Sequence, residues 1–116
     1  MSLDFVHEMS FASAILDAVM KVARENNAKR VKSVHVVIGN LLMLNPEQLK
    51  FCYDVVTKGT IAENSKLEIE VVKAKIECTN CGKVFDEYVG ICDECGGILK
   101  VEGGKEMFLK KVEMEV

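Results

Sequence analysis

The clearest structural signal in the chain lies in residues 78–95, where Cys78-Thr-Asn-Cys81 and Cys92-Asp-Glu-Cys95 are separated by ten residues. Two residues between paired cysteines let both sulfurs of one tight turn reach a single ion at about 2.3 Å. Two such pairs complete a closed tetrahedral thiolate site, which is typical of structural zinc. We therefore predict that Cys78, Cys81, Cys92 and Cys95 bind one structural Zn(II).

A glycine follows each cysteine pair, Gly82 and Gly96, and allows the positive φ that a metal-binding turn needs. Two other interpretations of the cysteines remain open. One is a redox-active dithiol, although a single pair suffices for that chemistry. The other is a rubredoxin-like electron carrier, in which the same four thiolates hold iron.

From Ala74 to about Gly104 the sequence has four cysteines and six glycines but few large apolar residues. A segment of this composition cannot build a core of its own, so metal binding is expected to fold it. We predict a zinc-binding domain at residues 74–103, inserted into an α/β domain that is made of residues 1–73 and 104–116.

The segment before the insertion begins with a helical pattern. Ser10 is a suitable N-cap, so we expect the helix to begin there, after His7-Glu8. Val31–Ile38 then reads as a strand that is buried on both faces. The apolar stripe of the helix recurs three and four positions apart, at Phe11, Ala12, Ile15, Leu16, Val19 and Ala23.

Asn45 and Pro46 match the N-cap and first position of a second helix, which we expect to end at Lys58. Lys66–Lys73 alternates as a half-buried strand, with Leu67, Ile69 and Val71 facing inward. Met107–Val116 resumes as a strand after the insertion, with Phe108, Val112, Met114 and Val116 on one face. The predicted fold class is α+β: a small sheet packed with two helices, plus an inserted zinc-ribbon-like domain.

The composition of the 116-residue chain excludes several classes of protein. A net charge of −3 offers no basic surface for nucleic acid, and no apolar run reaches the length of a membrane span. Met1–Val6 lacks the features of a secretory signal, and the odd count of five cysteines argues against a disulfide framework. We expect a cytoplasmic protein. No catalytic triad or phosphate-binding loop is present, so we predict that it is not an enzyme.

Two histidines and one further cysteine remain to be assigned. His35, among valines, is expected to be a hydrogen-bonded core or surface residue, and Cys52 a small buried apolar residue. Glu68 and Glu70 are interpreted as a solvated strand face. His7, taken alone, is more often a capping or solvated residue than a metal ligand.

The ordered motifs nevertheless resemble the HypA/HybF family of hydrogenase nickel-incorporation proteins. The resemblance runs from about Val6 to Val116. It is carried by His7-Glu8 before the long helix, by Ile38-Gly39-Asn40-Leu41 and by Asn45-Pro46-Glu47-Gln48-Leu49. It continues through Thr57-Lys58-Gly59-Thr60-Ile61-Ala62-Glu63, the two cysteine pairs and Gly103-Gly104-Lys105-Glu106. Each motif is weak alone, but the ordered set is specific.

This resemblance implies a nickel metallochaperone that acts in hydrogenase maturation. Family members deliver Ni(II) to the large subunit of [NiFe]-hydrogenase, usually with a HypB-type GTPase as partner. Their Met-His-Glu start maps onto Val6, His7 and Glu8, so His7 and Glu8 are the implied nickel-binding residues. Five residues precede Val6 here, which displaces the α-amine of Met1 from His7. A monomer and a homodimer are both compatible with the sequence.

The competing hypothesis is a zinc-ribbon module that binds nucleic acid or protein. The negative net charge and the few aromatic residues disfavour nucleic-acid binding, since single strands are held by basic grooves and aromatic stacking. The two hypotheses differ in metal content, because only a metallochaperone binds a second, exchangeable ion.

Overall fold

The computed structural model describes the backbone of residues 3–116 and the side chains from His7 onward. Helix α1 spans Leu3–Glu25, strand β1 spans Arg30–Gly39, and helix α2 spans Pro46–Val56. Six strands are assigned within this part of the chain, and the remaining five are β2 (Lys66–Val72), β3 (Lys75–Cys78), β4 (Val84–Phe85), β5 (Leu99–Glu102) and β6 (Met107–Glu115).

The strands form two separate three-stranded sheets. In the first sheet the order is β2-β1-β6, with β1 and β2 parallel and β1 and β6 antiparallel. A parallel pair needs a crossover connection, and α2 supplies it between β1 and β2. The second sheet has the order β4-β3-β5 and contains the cysteines. We call residues 75–102, which form the second sheet and its turns, the cysteine lobe.

This topology confirms the predicted α+β fold class, in which two helices pack on a small sheet that a zinc-ribbon-like segment interrupts. The last strand of the first sheet, β6, follows the cysteine lobe in the chain and pairs with β1. The main core lies between the two helices and the first sheet. Its largest fully buried side chains include Tyr53, Ile15, Ile38 and Leu49.

Helix α1 begins at Leu3 and not at Ser10, so the predicted start was wrong. The apolar stripe of α1 continues one turn toward the N-terminus through Glu8, which is fully buried four positions before Ala12. A pattern of apolar residues cannot include a carboxylate, and this is why the first turns were missed. Helix α2 begins at Pro46 with Asn45 as N-cap, as predicted, but ends at Val56, before Lys58.

Strand β1 is buried as expected, with Val34, Val36 and Ile38 facing the helices and Val37 buried on the other face. Val71 of β2 was expected to face the core, but half of its surface is exposed (49%), since it lies near the end of an edge strand.

The predicted face of β6 was partly wrong. Val112 and Met114 pack against the core as expected, whereas Phe108 is exposed (52%), and so is Val116, which lies beyond the strand. Between His35 and Val36 the register with β6 shifts, so that Lys110 has no direct partner. An extra residue at such a bulge reverses the alternation of faces. Met107 and Leu109 therefore face inward in place of Phe108.

No helix within residues 3–116 combines the length and the apolar character that crossing a lipid bilayer requires.

Candidate metal centre

The four predicted cysteines converge on one point of the cysteine lobe. The four sulfur atoms lie within 4.8 Å of one another, with Cys78 Sγ 3.3 Å from Cys95 Sγ and Cys81 Sγ 3.7 Å from Cys92 Sγ. Cys78 and Cys92 are buried, whereas Cys81 and Cys95 are exposed. These distances suit four thiolates around a single ion such as zinc.

Two turns of the same construction present these sulfurs. In the first turn the amide of Cys78 donates to the carbonyl of Lys83, and the amide of Gly82 donates back to the carbonyl of Cys78. In the second turn the Cys92 amide donates to Gly97 and the Gly96 amide donates to Cys92. Gly82 and Gly96 have φ of 78° and 73°, so both glycines adopt the positive φ predicted for them.

Backbone amides also point at one of the sulfurs. The amides of Asn80 and Cys81 donate to Cys78 Sγ over 3.3 Å and 3.5 Å. Hydrogen bonds of this kind stabilise the thiolate form that binds metal.

Gly97 is a site residue that the sequence analysis missed. A Cβ atom at this position would lie 2.8 Å from Cys78 Sγ and 3.2 Å from Cys95 Sγ, well inside van der Waals contact. Glycine is therefore required because the backbone approaches the sulfurs closely, and not because of its φ. The Gly96-Gly97 doublet after the last cysteine was the only signal in the sequence.

Hydrogen bonds within the cluster move the pKa values of two of its thiols in opposite directions. A hydrogen bond from Asn80, together with one from Cys78, lowers the pKa of the Cys95 thiol to about 6. A backbone hydrogen bond at Lys83 lowers the pKa of Cys81, but hydrogen bonding to Cys95 and burial outweigh it and raise that pKa to about 12. Neighbouring sulfurs cannot all be negative unless a cation replaces their protons.

Lys83 lies in the first cysteine turn and pairs with two acidic residues of the second. Its ammonium donates to Asp93 Oδ1 over 2.7 Å and lies 3.6 Å from Glu94 Oε1 and 5.1 Å from the ring centroid of Phe85. The hydrogen bond to Lys83 lowers the pKa of Asp93. This ion pair joins the two cysteine turns, one on each side of the sulfur cluster.

The two residues implied for nickel lie in different environments. His7 is exposed, whereas Glu8 is fully buried. Glu8 Oε2 accepts a 2.8 Å hydrogen bond from the backbone amide of Asn45, the N-cap of α2, and its Oε1 has no partner among the described residues. Within that part of the chain the four cysteines are also the only grouping of three or more potential metal ligands.

The N-cap of α2 therefore involves a residue of α1, because the backbone amide of Asn45 donates to Glu8. The Asn45 side chain accepts hydrogen bonds from the amides of Glu47 and Gln48, as an N-cap should. In a capping box the side chain at the third helical position, here Gln48, accepts from the N-cap amide. Here Glu8 accepts that hydrogen bond, and Gln48 Oε1 is buried without a partner in the described residues. The negative carboxylate at the start of α2 also suits the positive end of the helix dipole.

The remaining candidates behave as predicted. Cys52 is fully buried in the core, and burial raises the pKa of its thiol. His35 Nε2 lies 3.1 Å from Glu70 Oε1 on the outer face of the first sheet, where Lys110 also pairs with Glu70. Glu70 and Glu68 therefore line a polar strand face, and His35 is hydrogen-bonded at the surface.

The fold and the site together define a small α+β protein in which four clustered cysteines, able to hold a metal ion, precede the last strand. The family model described as "Hydrogenase/urease nickel incorporation, metallochaperone, hypA" matches residues 6–114. The chain therefore belongs to the HypA family of nickel-incorporation metallochaperones.

Individual relatives agree with this assignment. A hydrogenase maturation factor HypA from Archaeoglobus fulgidus is 51% identical over 111 residues, which cover 96% of this chain and all of that protein. One from Aquifex aeolicus is 39% identical over 114 residues, covering 96% and 99% of the two chains. The solution structure of the Ni metallochaperone HypA from Helicobacter pylori matches with a TM-score of 0.64 and 24% identity, over 93% of this chain and 97% of that one. The structural likeness shows a shared fold.

Proposed function

We propose that this chain binds Ni(II) transiently at His7 and helps to insert it into the large subunit of a [NiFe]-hydrogenase, with a HypB-type GTPase as partner. The four cysteines hold one Zn(II) as a structural ion. In this proposal the protein is a binding protein of the cytoplasm and not an enzyme. The description of its family as nickel-incorporation metallochaperones carries the proposal.

The exposure of His7 supports its role in a site that must both take up and release an ion. An imidazole nitrogen is a good ligand for Ni(II), and an exposed side chain can be reached by a partner. The cysteine cluster has the opposite character, because two of its ligands are buried and four thiolates leave no open position.

Glu8 is proposed to act on the nickel site chiefly through the position of His7. Its carboxylate is buried and bound to the amide of Asn45, so it anchors α1 immediately after His7. Backbone nitrogens favour square-planar Ni(II) once deprotonated. His7 lies beyond the first turn of α1, so its amide can reach nickel only if the residues before Glu8 leave the helix.

The decisive experiment removes each histidine in turn. His7→Ala is expected to abolish nickel binding while zinc content and fold remain unchanged. His35→Ala is the matched control, because His35 is the only other histidine and is held by Glu70 on the outer sheet face. Calorimetric titration with Ni(II), with zinc measured by elemental analysis, gives both readouts. Stoichiometric nickel on the His7→Ala variant would contradict the proposed site.

A second titration tests the role of the α-amine. A shortened chain that begins Met-His7-Glu8 brings that amine next to the imidazole, so we expect it to bind Ni(II) more tightly than the chain as written. Equal affinities would show that the amine does not take part. Binding by both chains should weaken as the pH falls, because nickel must displace protons from its nitrogen ligands.

A further inference from the structure

Four large apolar side chains of the cysteine lobe are exposed just before and just after its second cysteine turn. We call Tyr88, Val89, Ile91 and Ile98 the distal patch; their exposed fractions are 59%, 56%, 63% and 73%. Ile91 and Ile98 are direct partners in an antiparallel bridge, so their side chains emerge side by side on one face. Tyr88 and Val89 precede Ile91 in the same loop.

The small core of the lobe does not account for this exposure. Ile76, Cys78, Cys92 and Leu99 form that core, with Ala74 and Phe85 packed against it. The four side chains of the distal patch lie outside this cluster. Grouped apolar side chains on a surface mark interaction sites more often than isolated ones do.

The charges of the lobe identify the kind of partner. Each of its three lysines is paired with an acidic residue: Lys75 with Glu77 at 3.8 Å, Lys83 with Asp93 at 2.7 Å, and Lys100 with Glu102 at 2.6 Å. Three acidic residues then remain, namely Asp86, Glu87 and Glu94. Asp86 and Glu87 have no ion pair in the described part of the chain, and Glu94 must share Lys83 with Asp93.

This excess negative charge is confined to the lobe and lies beside the distal patch. The lobe holds three basic and six acidic residues, and the remaining twelve of each sign cancel, so the lobe accounts for the net charge of −3. Asp86 and Glu87 immediately precede Tyr88, and Glu94 follows Ile91 by three positions. An apolar surface beside uncompensated carboxylates is complementary to a basic and apolar partner.

We propose that the distal patch is a docking surface for a protein segment that combines Lys or Arg with large apolar side chains. The same charges disfavour the other occupants. Two cysteine lobes would repel each other, and so would the lobe and an anionic membrane or a nucleic acid. The proposal does not depend on where nickel binds, since no residue of the distal patch takes part in that site.

The test uses the zinc-loaded full chain and three synthetic peptides of equal length: lysine with leucine, glutamate with leucine, and lysine with serine. Only the lysine–leucine peptide is expected to bind. It should shift the backbone amide resonances of residues 86–91 and 98, and its affinity should fall several-fold when NaCl is raised from about 0.05 to about 0.5 M.

Two double variants address the two halves of the surface. Ile91→Ser with Ile98→Ser is expected to weaken binding at least about tenfold, and Asp86→Asn with Glu87→Gln should weaken it and reduce the dependence on salt. Val71→Ser and Glu25→Gln are matched controls, because they remove an exposed apolar residue and an exposed acid outside the lobe. Zinc content is measured for every variant. If the isoleucine variant loses zinc, the Asp86/Glu87 variant, which keeps all four apolar side chains of the patch, tests the docking surface in its place.

Several results would overturn the proposal. They are equal binding of the glutamate–leucine peptide, no binding of any peptide, and binding that neither double variant weakens. Binding to phosphatidylserine vesicles would assign the surface to a membrane. A concentration-dependent dimer that the isoleucine variant disperses, seen by sedimentation, would assign it to a second copy of the chain.

Discussion

At the scale of single residues, Glu8 fills a position of the main core that an apolar side chain would normally occupy. It lies in the apolar stripe of α1, and its carboxylate accepts a hydrogen bond from the amide of Asn45 at the start of α2. A buried carboxylate is costly unless such partners are present. The residue therefore links the two helices at the end of the molecule where His7 lies.

We predict that Glu8→Ala lowers the free energy of unfolding by about 2–3 kcal/mol, because it leaves a cavity and removes the hydrogen bond to the Asn45 amide. Glu8→Gln should cost less than about 1 kcal/mol, since its amide oxygen can still accept from Asn45. Urea denaturation of both variants measures the difference. Equal losses would mean that the hydrogen bond contributes little and that the charge itself is what α2 requires.

At the scale of elements, three segments of the chain meet at a crossing where the cysteine lobe joins the first sheet. The Gly39 amide donates to the carbonyl of Glu106, and the Leu41 amide donates to Gly104, so the end of β1 lies against the segment that leaves the lobe. Asn40 Oδ1 also accepts from the amide of Ala74, where the chain enters the lobe. A short segment after β1 therefore holds both connections.

Gly39 is predicted to be the most sensitive position of this crossing. A Cβ atom there would overlap the carbonyl group of Gly104, although the φ of Gly39, −77°, is accessible to any residue. Gly39→Ala should therefore destabilise the protein by about 2–3 kcal/mol or more, through steric overlap with the backbone of Gly104 and the side chain of Glu106. Gly59→Ala is the control: it has φ of 80° but open space around it, so its cost should stay near 1 kcal/mol. Thermal unfolding of both variants compares them, and equal shifts would argue against a tight crossing.

At the scale of the whole molecule, the two sheets differ in what holds them. Among residues 7–116, the first sheet and its helices share a core of thirteen buried residues, whereas the buried core of the cysteine lobe has four, of which two are cysteines of the cluster. The lobe should therefore depend on its metal ion, and the rest of the protein should not.

The affinity of the cysteine lobe for zinc is predicted to rise with pH. Without a cation, the raised pKa of Cys81, about 12, keeps that thiol protonated at neutral pH. Zinc must displace at least this proton, so the apparent zinc affinity should rise about tenfold or more per pH unit between about pH 6 and 8. Competition with a chromophoric chelator measures the affinity, and NMR spectra should lose the signals of residues 75–102 on zinc removal while those of the first sheet persist. An affinity independent of pH would contradict the proposed protonation.

Local patterns in the sequence determined much of this protein. The cysteine spacing, the Asn45-Pro46 cap and the alternation in β1 depend on neighbours a few positions away, so the cysteine cluster, the start of α2 and the buried strand β1 could all be predicted. The order of the family motifs also pointed to the family that the comparisons confirm.

Other features depend on residues that are far apart in the chain, so they could not be predicted from local patterns. The first turns of α1 are stabilised by a carboxylate whose partner, Asn45, is 37 positions away. The faces of β6 follow from a bulge that exists only in its pairing with β1. Gly97 must be glycine because Cys78, 19 positions earlier, approaches it in space. In each case the deciding contact joins segments that the chain brings together only after it has folded.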